Sequence, residues 1–206
     1  MLVFDHAELP PELVLIPEDL SYVTYAFLHG DFFHLAGNML FLWVFGDNVE
    51  DALGHLKYLI FYLASAAAGA WLHGIMDPNS EMPLIGASGA VAGVVTAYLM
   101  LHPRVKVWVL ILMRLPLRIP AWIPIALWIA FQFVMFLAAG EDQVSWAAHV
   151  GGIVAGGVMV LFLRRRGVPL FDRAIVTPSA AEVTIPEPAP APSPVRPPMP
   201  WGRQRQ

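Results

Sequence analysis

A serine flanked by small residues is the first group in this chain that could do chemistry. Ser88 lies in the segment Gly86-Ala87-Ser88-Gly89, at the start of a long apolar stretch. A helix that begins there would offer free backbone N–H groups and the positive end of its dipole, both of which stabilise a developing negative charge. Nucleophilic attack by a serine also needs a base within hydrogen-bond reach, ~2.6–3.2 Å from the hydroxyl oxygen. His149, near the start of another apolar stretch, is the candidate base.

Glycines at helical spacing could bring these two groups together. Gly93 follows Gly89 by four residues, and Gly156 follows Gly152 by four residues. This spacing lets two membrane helices approach almost backbone to backbone. We therefore assign a helix-packing role to Gly86, Gly89, Gly93, Gly152 and Gly156. The alternative is that the small residues serve packing alone and that the serine bonds back to its own helix, which is common in membrane helices.

His34 and Asn38 form a second polar group, in the segment "HLAGN". They are four residues apart, so both side chains project from the same face of a helix. Side-chain donors at that depth could bind the oxygen of a tetrahedral intermediate together with the backbone N–H of Ser88. One donor of this kind is commonly worth ~3 kcal/mol. We therefore predict that His34 and Asn38 stabilise an oxyanion.

The other polar side chains in the apolar stretches are interpreted as structural. We expect a structural hydrogen bond from His73 and an interhelical hydrogen bond from Gln132. No carboxylate lies in the helices at the depth of His149, so the sequence predicts a Ser/His dyad without the orienting aspartate of the usual triad. A His-Glu-x-x-His motif and an aspartate pair within the helices are both missing, so a zinc or aspartyl protease is unsupported. No metal or cofactor is expected.

The composition indicates that these groups belong to a membrane protein. The chain has 206 residues, of which 57% are hydrophobic and 14% charged, and it has no cysteine. A helix that crosses a bilayer needs roughly 20 apolar residues. Five stretches are predicted to span the bilayer, at residues 34–53, 58–76, 82–101, 119–139 and 144–163. The predicted fold is an all-α, polytopic membrane helix bundle.

All basic residues fall on one side of the predicted bundle. Lys57 lies in one turn, four basic residues lie between the predicted spans 82–101 and 119–139, and the remaining seven begin at Arg164. Lysine and arginine mark the cytoplasmic side, so we predict a multi-pass protein of the cell (inner or plasma) membrane with its carboxyl terminus in the cytoplasm. This topology leaves Met1 outside, so we expect a further transmembrane helix upstream of it. The alternative is unaided export of a short acidic loop.

The sequence divides into three parts. Residues 1–33 contain short apolar runs broken by prolines and acidic residues, and are predicted to form an extracytoplasmic loop with interfacial segments. Residues 34–166 are predicted to form the transmembrane catalytic domain, in which residues 105–117 form an interfacial segment with cationic ends. Residues 167–206 are rich in proline and alanine, which predicts a disordered cytoplasmic tail.

Three motifs in this chain resemble those of the rhomboid family of intramembrane serine proteases, of the bacterial type. They are "HLAGNMLFLWVFGDNVEDALGH", "GASGAVAG" and "AHVGGIVAG", and the resemblance covers residues 27–166. It implies that Ser88 is the nucleophile and His149 its base. It also implies that His34 and Asn38, in a His-x-x-x-Asn pattern, form the oxyanion-stabilising pair.

The chain departs from the family pattern in three places. The family core has six spanning helices, and the first one is missing from the five predicted here. Leu20-Ser21 stands where many members have Trp-Arg, and Ala92 stands where some members place an aromatic residue under the catalytic histidine. The resemblance further implies that residues 119–139 form a lateral substrate gate.

The predicted function is serine endopeptidase activity within the lipid bilayer, on single-span membrane proteins cut near the outer membrane boundary. Water must reach the dyad, so we expect a polar cavity that is open to the outside. The alternative is a catalytically inactive rhomboid-like protein that binds membrane helices without cutting them. A solute channel would need polar side chains along a whole pore, whereas here they cluster on one side. No nucleic-acid partner is expected, and the sequence leaves the oligomeric state open.

Overall fold

The computed structural model describes residues 17–78, 82–111, 114–138 and 144–172, which form a helical bundle with one small hairpin. The helices are α1 (Glu18–Thr24), α2 (Phe32–Phe41), α3 (Asp47–Leu53), α4 (His55–Met76), α5 (Ser88–Leu101), α6 (Trp122–Ala138) and α7 (Trp146–Leu163). The strands are β1 (Lys106–Ile111) and β2 (Leu115–Pro120). Two short turns complete the path, a 3₁₀ turn at Tyr25–Phe27 and a π turn at Leu42–Gly46. The predicted all-α membrane bundle is confirmed.

The first predicted span is one continuous helical run over residues 32–53. Helix α2 passes into α3 through the π turn, because the residues at both junctions keep right-handed helical backbone angles. Asp31 caps the start of the run and accepts hydrogen bonds from the backbone N–H groups of Phe33 (2.7 Å) and His34 (2.9 Å). The N–H of His34 thereby lowers the pKa of Asp31. The run ends at Gly54. The φ of this glycine is 91°, which breaks the helix before α4 begins at His55.

The other predicted spans correspond to α4, α5, α6 and α7, with shifted starts. Helices α4 and α7 are long and apolar enough to cross a membrane, and α5 and α6 are shorter apolar helices. Helix α5 begins at Ser88 and not at Met82 as predicted, since the backbone N–H of Gly86 bonds to the carbonyl oxygen of Tyr25 (3.1 Å) outside any helix. The late start places Ser88 at the first turn of α5.

The predicted interfacial segment at residues 105–117 forms most of an antiparallel hairpin that the sequence analysis did not foresee. Strand β1 pairs with β2 so that Trp108 faces Arg118 and Val107 faces Ile119. Residues 119 and 120 therefore belong to β2, and α6 begins only at Trp122. Short apolar runs without a helical period are compatible with either a strand or a helix, so the pairing partner decides the outcome.

Helix α7 packs in direct backbone contact with both α4 and α5, and the three helices form the centre of the bundle. A Cβ atom built on Gly152 would lie 1.8 Å from the carbonyl oxygen of Gly89, and one on Gly156 would lie 2.5 Å from the Cα of Gly93. On the α4 side, a Cβ on Gly151 would lie 2.6 Å from the carbonyl oxygen of Ala68. Only glycine fits at such crossings, because any side chain would part the helices.

The chain after α7 folds back across the end of the bundle at which α3 and α5 end. The N–H of Arg165 bonds to the carbonyl oxygen of Ala52 (2.9 Å), and the N–H of Phe171 bonds to that of Met100 (2.7 Å). Between them Val168 is 1% exposed and belongs to the core. Residues 167–172, which the sequence analysis assigned to the tail, are thus packed on the bundle because they satisfy carbonyl groups at the ends of α3 and α5. Residues 1–16 and 173–206 of the predicted outer loop and tail lie outside the described residues.

Candidate active site

Ser88 and His149 lie in hydrogen-bond contact at the same end of the bundle. The Oγ of Ser88, at the start of α5, is 2.8 Å from the Nε2 of His149 in the first turn of α7. Both residues are partly exposed. The glycines that follow each residue make this contact possible, since they hold α5 and α7 at backbone distance. A serine hydroxyl bonded to an imidazole nitrogen is the arrangement that lets the imidazole remove the hydroxyl proton.

The other ring nitrogen of His149 is bonded to Gln132. The Oε1 of Gln132 lies 2.8 Å from the Nδ1 of His149, and the Nε2 of Gln132 donates to the carbonyl oxygen of Trp128 (3.1 Å). Gln132 is 2% exposed, although α6 is otherwise largely exposed. The interhelical hydrogen bond predicted for Gln132 is present, but the sequence analysis did not identify its partner. The sequence feature that indicated this hydrogen bond was a single amide side chain in an apolar span, and nothing in that feature names the partner.

Trp146 packs against the ring of His149. The two rings are 5.8 Å apart at 89°, and Phe131 of α6 lies against Trp146 with centroids 5.6 Å apart. This role of Trp146 was not predicted from the sequence, although its place three residues before His149 on one helix indicates a shared face. The aromatic neighbour of His149 thus comes from α7 itself, and Ala92 is fully buried in α5.

His34 lies on α2 beside the segment that precedes Ser88, and Asn38 lies one turn further along α2. Gly86 has a φ of 109°, and a Cβ built on it would lie 2.5 Å from the Nε2 of His34, so glycine alone fits there. Gly86 therefore makes room for the His34 ring and is not part of the helix-to-helix contact that the sequence analysis assigned to it. Asn38 is 7% exposed, and its Nδ2 is buried without a hydrogen-bond partner. An amide donor buried without an acceptor is costly unless a ligand supplies one.

Tyr25 connects the serine segment to the bundle and was not identified from the sequence. Its carbonyl oxygen accepts from the N–H of Gly86, and its hydroxyl donates to the carbonyl oxygen of Ala66 in α4 (2.9 Å). Burial raises the pKa of Tyr25, so the hydroxyl remains a donor. Tyr25 thus holds the turn before Ser88 against α4.

His73 makes the structural hydrogen bond that the sequence analysis predicted. Its Nδ1 lies 2.8 Å from the Oγ of Ser145. The same oxygen accepts a hydrogen bond from the backbone N–H of Ala148 (3.2 Å) and so caps α7. His29 packs edge-on against His34 with centroids 5.2 Å apart. In the part of the chain that the structure describes, no three histidine or acidic side chains are grouped so that they could hold a metal ion.

Comparison with known protein families identifies the family of the chain. The model of the Rhomboid domain matches residues 18–166, which is most of the chain. The chain belongs to the rhomboid family. Rhomboids are membrane-embedded, so the apolar surfaces of α4, α6 and α7 face lipid.

Several curated rhomboids are similar to this chain. It is 31% identical to "Rhomboid protein 1, mitochondrial" of Saccharomyces cerevisiae, over 68% of this chain and 41% of that protein. It is 31% identical to "Rhomboid-related protein 1" of Caenorhabditis elegans, over 70% of this chain and 41% of that protein. It is 27% identical to "Rhomboid-type serine protease 2" of Emericella nidulans, over 74% of this chain and 28% of that protein. The chain therefore spans less than half the length of these relatives.

Proposed function

We propose that this rhomboid is an intramembrane serine endopeptidase in which Ser88 attacks the scissile peptide bond and His149 acts as its base. The observation that carries the proposal is the 2.8 Å hydrogen bond between the Oγ of Ser88 and the Nε2 of His149. The name of the relative "Rhomboid-type serine protease 2" supports the same chemistry. The proposed substrates are single-span membrane proteins.

The reaction follows from the two hydrogen-bonded groups. The Oγ of Ser88 attacks the carbonyl carbon of the substrate while its proton passes to the Nε2 of His149, which gives a tetrahedral intermediate with a negative oxygen. The intermediate collapses when His149 returns the proton to the leaving amine, and an ester on Ser88 remains. A water molecule then attacks this ester with His149 again as base, which frees the acid product and restores the hydroxyl of Ser88.

The proposed oxyanion site lies between α2 and the start of α5. The Nδ2 of Asn38 is a buried donor without a partner, and the imidazole of His34 lies against Gly86, two residues before Ser88. The first backbone N–H groups of α5 have no acceptors within their own helix. Together these donors would stabilise the negative oxygen more strongly than the neutral carbonyl from which it forms.

The proposed cleavage site lies near the outer membrane surface. Ser88, His149 and His34 all lie in the first turns of their helices, at one end of the bundle. Arg104 and Arg164 follow the opposite ends of α5 and α7, and basic residues mark the cytoplasmic side. This supports a site that faces outward and a chain that continues into the cytoplasm after α7, in the cell membrane.

The substrate is proposed to enter from the lipid between the helical run 32–53 and α6. Phe41 and Trp128 meet across this seam with ring centroids 6.1 Å apart. Beside them lies a cavity of about 340 Å³ with apolar walls, bounded also by the hairpin residues Val107 and Trp108. An apolar seam of this kind suits a hydrophobic peptide segment arriving from the bilayer.

The decisive experiment is covalent labelling of the purified protein with a fluorophosphonate, a reagent that phosphonylates activated serines with loss of fluoride. We expect labelling of the parent protein, no labelling of Ser88→Ala and no labelling of His149→Ala. A synthetic single-span protein with small residues near its outer boundary, reconstituted with the enzyme in vesicles, gives the position of the cut by mass spectrometry. If the folded parent protein were not labelled, the proposal would fail and a helix-binding protein without activity would be favoured.

Replacing Asn38 with alanine is expected to lower kcat by about 10²–10³-fold, the usual cost of one lost oxyanion donor. KM should change little, because the bond to the oxygen strengthens only in the transition state. The measurement is steady-state cleavage of the reconstituted single-span substrate. Gly37→Ala is the matched control, since a Cβ at that neighbouring position meets no atom within 4 Å. A lower kcat in the control, or an unchanged kcat in Asn38→Ala, would contradict the assignment.

A further inference from the structure

We propose that Gln132 is a positioning residue for His149, an amide that takes the place of the carboxylate in a serine protease triad. The inference rests on the proposed function, because it concerns the protonation state in which His149 serves Ser88. The observation behind it is a chain of three hydrogen bonds that runs from Trp128 through Gln132 and His149 to Ser88.

The orientation of the Gln132 amide follows from its second partner. The carbonyl oxygen of Trp128 can only accept a hydrogen bond, so the amide atom 3.1 Å from it must be the NH₂ group. The Oε1 of Gln132 therefore faces His149, and it too can only accept. The Nδ1 of His149, 2.8 Å away, must carry a proton in order to make this bond.

The protonation of His149 then determines what it does for Ser88. A neutral imidazole carries one proton, so a proton at Nδ1 leaves Nε2 with its lone pair. That lone pair points to the Oγ of Ser88 at 2.8 Å and can accept the hydroxyl proton. In the other tautomer Nε2 would donate, and His149 could not act as the base. Gln132 thus selects the tautomer that the reaction needs.

The burial of Gln132 fits this role better than a general packing role. Among the α6 side chains that the structure describes, Gln132 and Ile125 are the buried ones within Trp122–Ala138. A buried amide is costly unless it is hydrogen-bonded, and here both ends of the amide are used. Leucine or isoleucine would fill the same space in an apolar helix without that requirement.

An amide and a carboxylate would do different work at this position. A buried carboxylate would stabilise the protonated His149, but burying a charge at membrane depth is expensive. A neutral amide avoids that cost and retains the acceptor oxygen. Gln132 therefore orients His149 but adds no negative charge to stabilise the protonated imidazole. Trp146 packs on the ring at 89° and restricts its rotation from another direction. Because Gln132 belongs to α6, the orientation of His149 depends on the contact between α6 and α7.

The test compares Gln132→Met, which keeps the length and removes the acceptor, with Gln132→Glu, which keeps an acceptor oxygen. We expect Gln132→Met to lower the rate of fluorophosphonate labelling and the kcat of cleavage by about tenfold or more, which corresponds to ~1.4 kcal/mol in the barrier. KM should stay within about twofold, since Gln132 is 2% exposed and both ends of its amide are bonded within the protein. Gln132→Glu should recover most of the lost rate.

Thr96→Val is the matched control, because Thr96 is also buried and bonds only to its own helix, at the carbonyl oxygen of Ala92 (2.8 Å). If Gln132 only stabilised the bundle, Gln132→Met and Thr96→Val would lose thermal stability and activity to a similar degree. Equal labelling rates for Gln132→Met and Thr96→Val would overturn the inference, as would a failure of Gln132→Glu to recover activity while folded.

A spectroscopic measurement on the unaltered protein tests the tautomer without any activity assay. In the resting protein at neutral pH, nitrogen NMR of labelled His149 should show the proton on Nδ1. A proton on Nε2 would overturn the inference even if the enzyme is active. Absence of fluorophosphonate labelling in the parent protein would instead overturn the proposed function, so the two failures are distinguishable.

Discussion

Replacing Ser88 with alanine is expected to lower the rate of substrate cleavage by about 10⁴-fold or more, because the Oγ that is hydrogen-bonded to His149 and would form the ester is removed. His149→Ala is expected to cause a loss of similar size, since the hydroxyl of Ser88 then has no base. The double variant should be no slower than either single variant. Groups that act in one step lose their effect together, so their free energies do not add.

The measurement is single-turnover cleavage of the reconstituted substrate by the parent protein and the three variants. Ser65→Ala is the control for loss of a buried serine hydroxyl, because Ser65 lies in α4 and its Oγ has no hydrogen-bond partner. It should retain activity close to that of the parent. Additive losses in the double variant, or substantial cleavage by Ser88→Ala, would show that the two residues do not act as a unit.

Replacing Gly152 with alanine is expected to destabilise the bundle by about 3 kcal/mol or more, at the upper end of what overpacking costs. The new Cβ would lie 1.8 Å from the carbonyl oxygen of Gly89 and 2.7 Å from its carbonyl carbon. Neither neighbour is a side chain that could rotate away, so α5 and α7 must separate. Since that contact brings Ser88 to His149, activity should be lost together with stability.

Gly157→Ala is the matched control for this change, five residues further along α7. A Cβ there would meet only side-chain atoms of Thr96 and Met100, at 3.5 and 3.7 Å, which is ordinary van der Waals contact. It should be tolerated, or stabilise the protein by about 0.4–1 kcal/mol through the lower flexibility of the unfolded chain. Thermal unfolding in detergent and the labelling rate of Ser88 measure both effects. A Gly152→Ala protein as stable as the parent would show that the helices have another way to pack.

The membrane helices and the candidate residues could be predicted because their signals are local in the sequence. Long apolar stretches indicate spans whatever their neighbours are, since lipid replaces water as the surroundings. Ser88, His149, His34 and Asn38 are noticeable because polar groups are rare in such stretches. The four-residue glycine spacing lies within single helices, so it could be read directly from the sequence. It indicated that α5 and α7 approach closely.

The hairpin at residues 106–120 could not be predicted in the same way. Its strands are short and apolar, and a strand forms only when a partner satisfies its backbone hydrogen bonds. The start of α5 shifted for a related reason, because the backbone of Gly86 bonds to Tyr25 some sixty residues earlier in the chain. The fold-back of residues 167–172 likewise depends on carbonyl groups at the distant ends of α3 and α5.

The sequence alone determined which residues of this protein could do chemistry and in which apolar spans they lie, because residue type and hydrophobic length are properties of the chain itself. Only the tertiary structure decided that the partner of His149 on its second nitrogen is Gln132, which belongs to another helix. Which side chain of one helix faces a given atom of another depends on helix rotation, crossing and depth. Those quantities result from the packing of the whole bundle, and no single segment encodes them.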